Sequence, residues 1–110
     1  MTLSQTQRTF SLNLAKLILW IYDNGMECTM GEVLRTPEQQ AIYLKSGLSK
    51  TSNSKHLQKL AADINLFIDG VYTTEKQDYK GLAEYWKSLH KDNVAGYDWG
   101  WDAQHFQQNY

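Results

Sequence analysis

Ser54-Lys55-His56-Leu57-Gln58-Lys59-Leu60-Ala61-Ala62-Asp63-Ile64-Asn65-Leu66-Phe67-Ile68-Asp69-Gly70-Val71-Tyr72-Thr73 is the stretch on which the fold turns. From Leu60 to Ile68 the side chains alternate. Ala62, Ile64, Leu66 and Ile68 fall on one face, and Ala61, Asp63, Asn65 and Phe67 on the other, the two-residue period of a half-buried strand. Asp69-Gly70 is a hairpin signal, so Val71-Tyr72-Thr73 is expected to return antiparallel. Asp63 points away from the aliphatic face, with small Ala61 beside it leaving room. A carboxylate inside a strand needs a partner, and His56 lies just upstream at the end of a polar loop.

The flanking segments read as helices and one further strand. Residues 4–24 form the first helix, with Ser4-Gln5-Thr6-Gln7 fitting a capping box and Phe10, Leu14, Leu17, Ile18 and Ile21 following one-face spacing, and Asn24-Gly25 stops it. Leu12, Leu19 and Trp20 add apolar surface on other faces, which predicts a helix covered on more than one side. Met26, Cys28 and Met30 alternate with Glu27 and Thr29, predicting a strand with Gly31 as a bulge. Thr36-Pro37-Glu38-Gln39 then opens a second helix that Gly47 closes. Arg35 sits at this strand-to-helix junction, where an arginine either makes a surface ion pair or meets an anion. Thr74-Glu75-Lys76-Gln77 reads as a third capping box, before a helix whose apolar stripe is Tyr79, Leu82, Ala83, Trp86 and Leu89. Trp86 is assigned to the core. His90, at that helix's end, reads as a surface residue or a partner of the helix dipole.

Composition narrows the function classes. A chain of 110 residues is read as one domain, 1–110, large enough for one core without disulfide staples. Cys28 is the single cysteine, so no intrachain disulfide forms, and it reads as a small buried or half-buried residue. The net charge of -1 and the lack of any nucleic-acid-binding signature set nucleic acid aside as a partner. The most apolar run, residues 17–22, is too short to span a bilayer, and the start of the chain lacks the pattern of a signal peptide. Synthesis in a cytoplasm and a monomeric state are expected. Between Gln39 and Ala62 there is no acid, while Lys45, Lys50, Lys55 and Lys59 fall inside, either a solvated face or a region drawing a carboxylate-bearing substrate. Residues 46–54 read as an exposed irregular loop.

Near the C-terminus, Trp99-Gly100-Trp101-Asp102-Ala103-Gln104-His105-Phe106 offers a second histidine with an acid three residues before it. Two histidines and one aspartate fill the three protein positions of a catalytic zinc, whose fourth position holds water. Each histidine taken alone would also serve a structural role. On a straight strand Asp102 and His105 would face opposite ways, so a turn at Ala103-Gln104 is required if both face a metal. Trp99 reads as core, and Trp101 either walls the cleft or completes the core.

The blocks Arg35-Thr36-Pro37-Glu38-Gln39-Gln40, Gly47, Ser54-Lys55-His56 with Ala61 and Asp63, and Asp102-Ala103-Gln104-His105-Phe106 together resemble one family, in order and spacing, over roughly residues 33–107. It is that of the zinc D,D-peptidases and phage L-alanyl-D-glutamate endolysins, VanY-like and of the hedgehog-type fold, with the pattern S-x-H-x-x-G-x-A-x-D followed by [DE]-x-x-H. Lys59 stands where the pattern has glycine, which bears on the turn just after His56.

The resemblance implies an α+β domain, about three helices on a small antiparallel sheet, with the zinc cleft at the sheet's edge. It implies Zn2+ on His56, Asp63 and His105, Asp102 as general base, and Arg35 steadying the oxyanion. Ser54 would hold a substrate carboxylate or carbonyl, Gln40 would shape the site, and Trp101 would line it. The substrate implied is the peptidoglycan stem peptide, cut at its L-alanyl-D-glutamate bond by a phage endolysin that reaches the wall with a holin. A D-alanine carboxypeptidase and a non-catalytic zinc-stabilised binding domain are the alternatives.

Overall fold

The structure is a computed structural model that describes residues 2–34, 36–47 and 55–110. Arg35 and residues 48–54, Ser54 among them, lie outside the described residues, and with them most of the loop expected at 46–54.

Helix α1 spans Leu3–Asp23. Two overlapping Ser/Thr-x-x-Gln boxes compete at its start, and the earlier one caps it, two residues upstream of the expected box. The Thr2 hydroxyl accepts from the Gln5 amide at 3.1 Å, and the Thr2 amide donates to Gln5 Oε1 at 2.8 Å. Its buried face is Thr6, Phe10, Asn13, Leu17 and Ile21. Leu12 and Leu19 are 57% and 64% exposed, so the expectation of cover on several sides is corrected: α1 packs one face inward. The polar neighbours of those leucines one turn away, Arg8, Lys16 and Asp23, leave no continuous second apolar stripe. Asn24 and Gly25 end the helix, Gly25 in the left-handed region at φ 75°.

The sheet follows the alternation expected of it. Strands β1 (Glu27–Met30), β2 (Ala61–Ile68), β3 (Val71–Thr73), β4 (Asn93–Ala95) and β5 (His105–Gln108) pair antiparallel throughout, in the order β1-β2-β5-β4, with β3 also on β2. Asp69 and Gly70 both take positive φ, 52° and 77°, as the tight hairpin between β2 and β3 requires. Helix α2 (Pro37–Ser46) has the Thr36 cap and proline start foreseen for it, and Gly47 closes it at φ 82°.

Helix α3 (Lys80–Leu89) is preceded by a short 3-10 turn, Lys76–Tyr79, and the third capping box does not form. Thr73 acts instead: its hydroxyl accepts from the Glu75 amide at 3.1 Å and donates to Asp78 Oδ2 at 2.7 Å.

Helices α1 and α3 cover the Ile64/Leu66/Phe106 face of the sheet, with Trp86 of α3 edge-on to both Phe10 and Phe106 at 5.5 and 6.0 Å between centroids. Such edge-to-face rings add about 0.5–1.5 kcal/mol per pair beyond area burial. Cys28 is half-buried, and burial pushes its thiol up. With the core on one face, the opposite parity of β2 and β5 carries Asp63 and His105.

Candidate metal centre

Asp63 and His105 are directly opposed partners of the two inner strands β2 and β5, so their side chains rise side by side from one face. The site therefore stands on the middle of the sheet, and the expected edge position is corrected. It is the β5 segment, arriving after α3 and β4, that pairs with β2 at Asp63 and makes that strand interior. On the other flank of Asp63 its amide donates to the Glu32 carbonyl at 3.0 Å, and its carbonyl accepts from the Gly31 amide at 2.8 Å. A Cβ on Gly31 would lie 3.0 Å from Asp63 Cβ, so glycine is what lets this segment close in. Glu32 also receives the Tyr43 hydroxyl at 3.2 Å, which ties α2 to the site. Gln40, on the same helix, is buried.

His56 comes from a single 3-10 turn, Lys55–Gln58, and is 1% exposed. The turn then swings into β2 through Lys59, which holds φ 57°, the left-handed conformation that glycine would adopt without strain. Lysine thus keeps the backbone path. Gln7 of α1 braces the turn from outside, donating to the Gln58 carbonyl at 2.8 Å.

The Asp102–His105 segment carries the turn that the spacing demanded, at Ala103-Gln104, where the His105 amide donates to the Asp102 carbonyl at 3.1 Å. Gly96, which the sequence reading passed over, and the side chain of Gln104 build it. Gly96 lies directly beneath, where a Cβ would overlap the Asp102 carbonyl oxygen and stand 3.0 Å from His105 Cβ. Gln104 stitches the turn to the hairpin, its amide donating to Tyr72 Oη at 2.8 Å and Asn65 Oδ1 at 3.1 Å.

Three donor atoms converge. Asp63 Oδ1 is 3.3 Å from His56 Nε2 and 3.5 Å from His105 Nδ1, and the set lies within 4.8 Å throughout. Tetrahedral donors about 2.0–2.2 Å from one cation stand about 3.3–3.5 Å from each other, and the two distances from Asp63 to the imidazoles match such an ion. The remaining ring nitrogens are committed elsewhere. His56 Nδ1 faces the Val33 carbonyl at 3.2 Å, and His105 Nε2 faces Gln107 Oε1 at 2.8 Å. Both partners are acceptors, so those nitrogens carry the hydrogens and leave lone pairs aimed at the Asp63 side.

Three lone pairs turned toward one point repel unless a cation or a proton lies among them, and the acidities follow. Burial alone would raise the Asp63 carboxyl, but hydrogen bonds from His105 and His56 and their charge outweigh it and bring it to about 2. Burial would lower His105, yet hydrogen bonds to Asp63 and Gln107 and the charges of Asp102 and Asp63 raise it. Asp102 Oδ2 is 3.9 Å from His105 Nδ1, beside the donor set without joining it.

Trp99 tilts over His105 with centroids 5.1 Å apart, and Trp101 stacks on Trp99 at 5.7 Å. Trp99 is 39% exposed and Trp101 55%, so the assignment of Trp99 to the core is corrected. The 3-10 turn Gly96–Trp99 turns it outward, against the site. His90 is half-buried at the end of α3, where its Nδ1 accepts from the Asp92 amide at 3.1 Å.

No family model matches the sequence. The chain is 34% identical over 99 residues to the L-alanyl-D-glutamate peptidase of Listeria phage A118, a match that takes in 86% of this chain and 32% of that protein. It thus spans about a third of that relative's length. Among solved structures, the L-Ala D-Glu endopeptidase ChiX of Serratia marcescens superposes with a TM-score of 0.66 at 26% identity, covering 76% of this chain and 68% of that one. The D,D-pentapeptidase VanY of a VanB-type vancomycin-resistance cassette, solved with Zn(II), superposes with a TM-score of 0.64 at 20% identity over 90% and 70%. Among the described residues no helix is long and apolar enough to cross a membrane.

Proposed function

We propose that this chain, which belongs to the VanY-like family of zinc peptidases, hydrolyses the peptidoglycan stem peptide at its L-alanyl-D-glutamate bond, as a phage endolysin does. The observation that carries the reading is the donor set itself: His56, Asp63 and His105 spaced for one tetrahedral ion, each imidazole with its other nitrogen engaged by an acceptor. Both like-acting relatives are named for that bond.

His56, Asp63 and His105 would hold a zinc ion, which would supply Lewis-acid chemistry for the scissile carbonyl and the attacking water. The chain's own residues do the rest. Asp102, held over the site by the turn on Gly96, takes the proton of the attacking water and passes it to the leaving amine. Arg35 steadies the developing oxyanion, Ser54 holds a substrate carboxylate or carbonyl, Gln40 shapes the pocket, and Trp101 walls it against water. Residues 1–110 act as one peptidase domain and as a monomer, and a holin admits the enzyme to the wall.

Purified peptidoglycan digested with wild type and Asp102→Asn, with metal content measured in both, tests the reading. Wild type should release new amino termini on D-glutamate. The variant should hold the same metal and turn over about 10²–10⁴-fold more slowly. A wild type that holds zinc and releases no amino termini is not a peptidase of this substrate. Release of free D-alanine instead would reassign the bond, and equal cleavage by the variant would move the base elsewhere.

A further inference from the structure

The two imidazoles are fixed in unlike ways. His56 Nδ1 rests on a main-chain carbonyl, that of Val33, whereas His105 Nε2 rests on a side chain, Gln107 Oε1, at the shorter distance of 2.8 Å. Gln107 is itself held. Its Nε2 donates to Asn109 Oδ1 at 2.9 Å, the arrangement in which the amide oxygen faces the histidine. His105 and Gln107 lie two apart on β5, so the strand projects them to the same side, and Asn109 follows just past its end.

The surroundings give Gln107 both space and rigidity. Its cross-strand partner on β2 is Ala61, fully buried and small, so the amide has room on the metal side of the sheet. Its carbonyl accepts from the core indole of Trp86 at 3.0 Å, which anchors the backbone of β5 at that residue. A glutamine here offers an acceptor without a charge, and it offers a donor to a third residue that keeps the acceptor pointed inward.

From this geometry we propose that Gln107 is a positioning residue for the metal. By accepting from Nε2 it fixes the imidazole of His105 in the tautomer and orientation that presents Nδ1 beside Asp63, and Asn109 sets its amide. The inference rests on the metal reading of the site. Without the acceptor, His105 is free to carry its hydrogen on Nδ1, the nitrogen that must donate electrons, and to rotate within its cavity. Loss of such outer partners weakens metal binding about 10–100-fold.

The test measures zinc affinity in purified full-length protein by competition with a chromogenic chelator. Gln107→Met keeps length and removes the acceptor, Gln107→Glu keeps the acceptor, and Asn109→Ala leaves Gln107 in place but unheld. Melting of the chelator-treated proteins and the His105 ring signals in nitrogen–proton correlation spectra accompany each. Gln107→Met should bind zinc 10–100-fold more weakly while its chelator-treated form melts close to wild type. Gln107→Glu should bind within about threefold of wild type or more tightly. Asn109→Ala should fall between, and zinc-loaded wild type should carry its His105 hydrogen on Nε2. Gln107→Met binding as tightly as wild type overturns the proposal, as does a wild-type hydrogen on Nδ1. Should Gln107→Met fail to fold, Asn109→Ala decides: no loss of affinity overturns it. A wild type that binds no zinc removes the metal reading itself, an outcome distinct from failure of Gln107 alone.

Discussion

His56 and His105 reach the same carboxylate from opposite structural extremes. His56 sits on one turn of 3-10 helix just ahead of β2, and a main-chain carbonyl orients its ring. His105 opens a strand paired in register with Asp63, and its ring is oriented by Gln107 and flanked by Trp99. One presents Nε2 and the other Nδ1. Almost any residue at position 33 supplies the carbonyl that holds His56, so that half tolerates substitution of the partner and depends on the backbone path. The His105 half has a regular backbone and depends on side-chain identity. Perturbations of path should damage the first half, and perturbations of packing the second.

The largest effect is expected from Gly96→Ala, aimed at the β5 half. The new methyl has to displace the Asp102 carbonyl that receives the His105 amide, and it crowds His105 Cβ as well. Overpacking of this kind costs about 1–3 kcal/mol, or about 5–15 °C in melting temperature for a domain of this size. Zinc affinity should fall at least about tenfold, in the range that loss of an outer partner produces, with the His56 ring signals little changed. Equal disturbance of both rings would mean the two halves are one mechanical unit, and the contrast drawn above would be wrong.

What could be read in advance follows the same division. The alternation from Leu60 to Ile68 placed Asp63 off the aliphatic face, and Asp69-Gly70 placed the hairpin, because a two-residue period and a left-handed turn leave direct marks in residue type. That His56, Asp63 and His105 would cluster was legible for a chemical reason, since few residue types donate to a metal. Gln107 and Asn109 left only the faint mark of polar residues two apart after a histidine, and pairing with Ala61 and the Trp86 anchor exist only once the strands meet. Gly96 was silent because its need is steric and long-range; its φ carries no signal in sequence. Trp99 misled because a tryptophan's apolar area argues for burial, while its place on a 3-10 turn against His105 keeps part of it in solvent. The competing caps at Thr2 and Ser4 share one pattern, and only the main chain decides between them.

A smaller effect, and one of opposite sign with and without metal, is expected from pH. Asp63 is depressed from 3.8 to about 2 in the fold, so its contribution is present above its unfolded value and lost as pH falls through about 2, an effect of about 2 kcal/mol. His105 is raised above 6.5, so its contribution is complete below 6.5 and lost as pH climbs through the folded value. Chelator-treated protein should therefore become less stable from about pH 6 to pH 8. Zinc-loaded protein should gain stability over that range, because protons no longer compete for the imidazoles, and acid should strip metal and activity together. Melting curves across pH in both forms check this, and parallel slopes would show that His105 does not hold the proton that zinc replaces.

The smallest effect tests the His56 half through its path. Lys59 carries a side chain at φ 57°, a conformation that costs a non-glycine residue about 1–2 kcal/mol, while glycine gives back about 0.5–1 kcal/mol through its freer unfolded state. Lys59→Gly should then stabilise the protein by up to about 1.5 kcal/mol, and Lys59→Ala, which relieves no strain, should leave stability within about 0.5 kcal/mol of wild type. Zinc affinity should stay within about twofold in both, because the left-handed turn is already made and His56 already faces Asp63. If Lys59→Gly instead weakens binding, the lysine does more than occupy a glycine's conformation. Its side chain lines a surface cavity with Ser4, Gln7, Arg8 and Ser11 of α1, and Gln7 holds the neighbouring Gln58 carbonyl. The path of the His56 turn would then be set by α1 as well as by the chain's own torsion angles, and the simpler half of the site would prove to have side-chain support of its own.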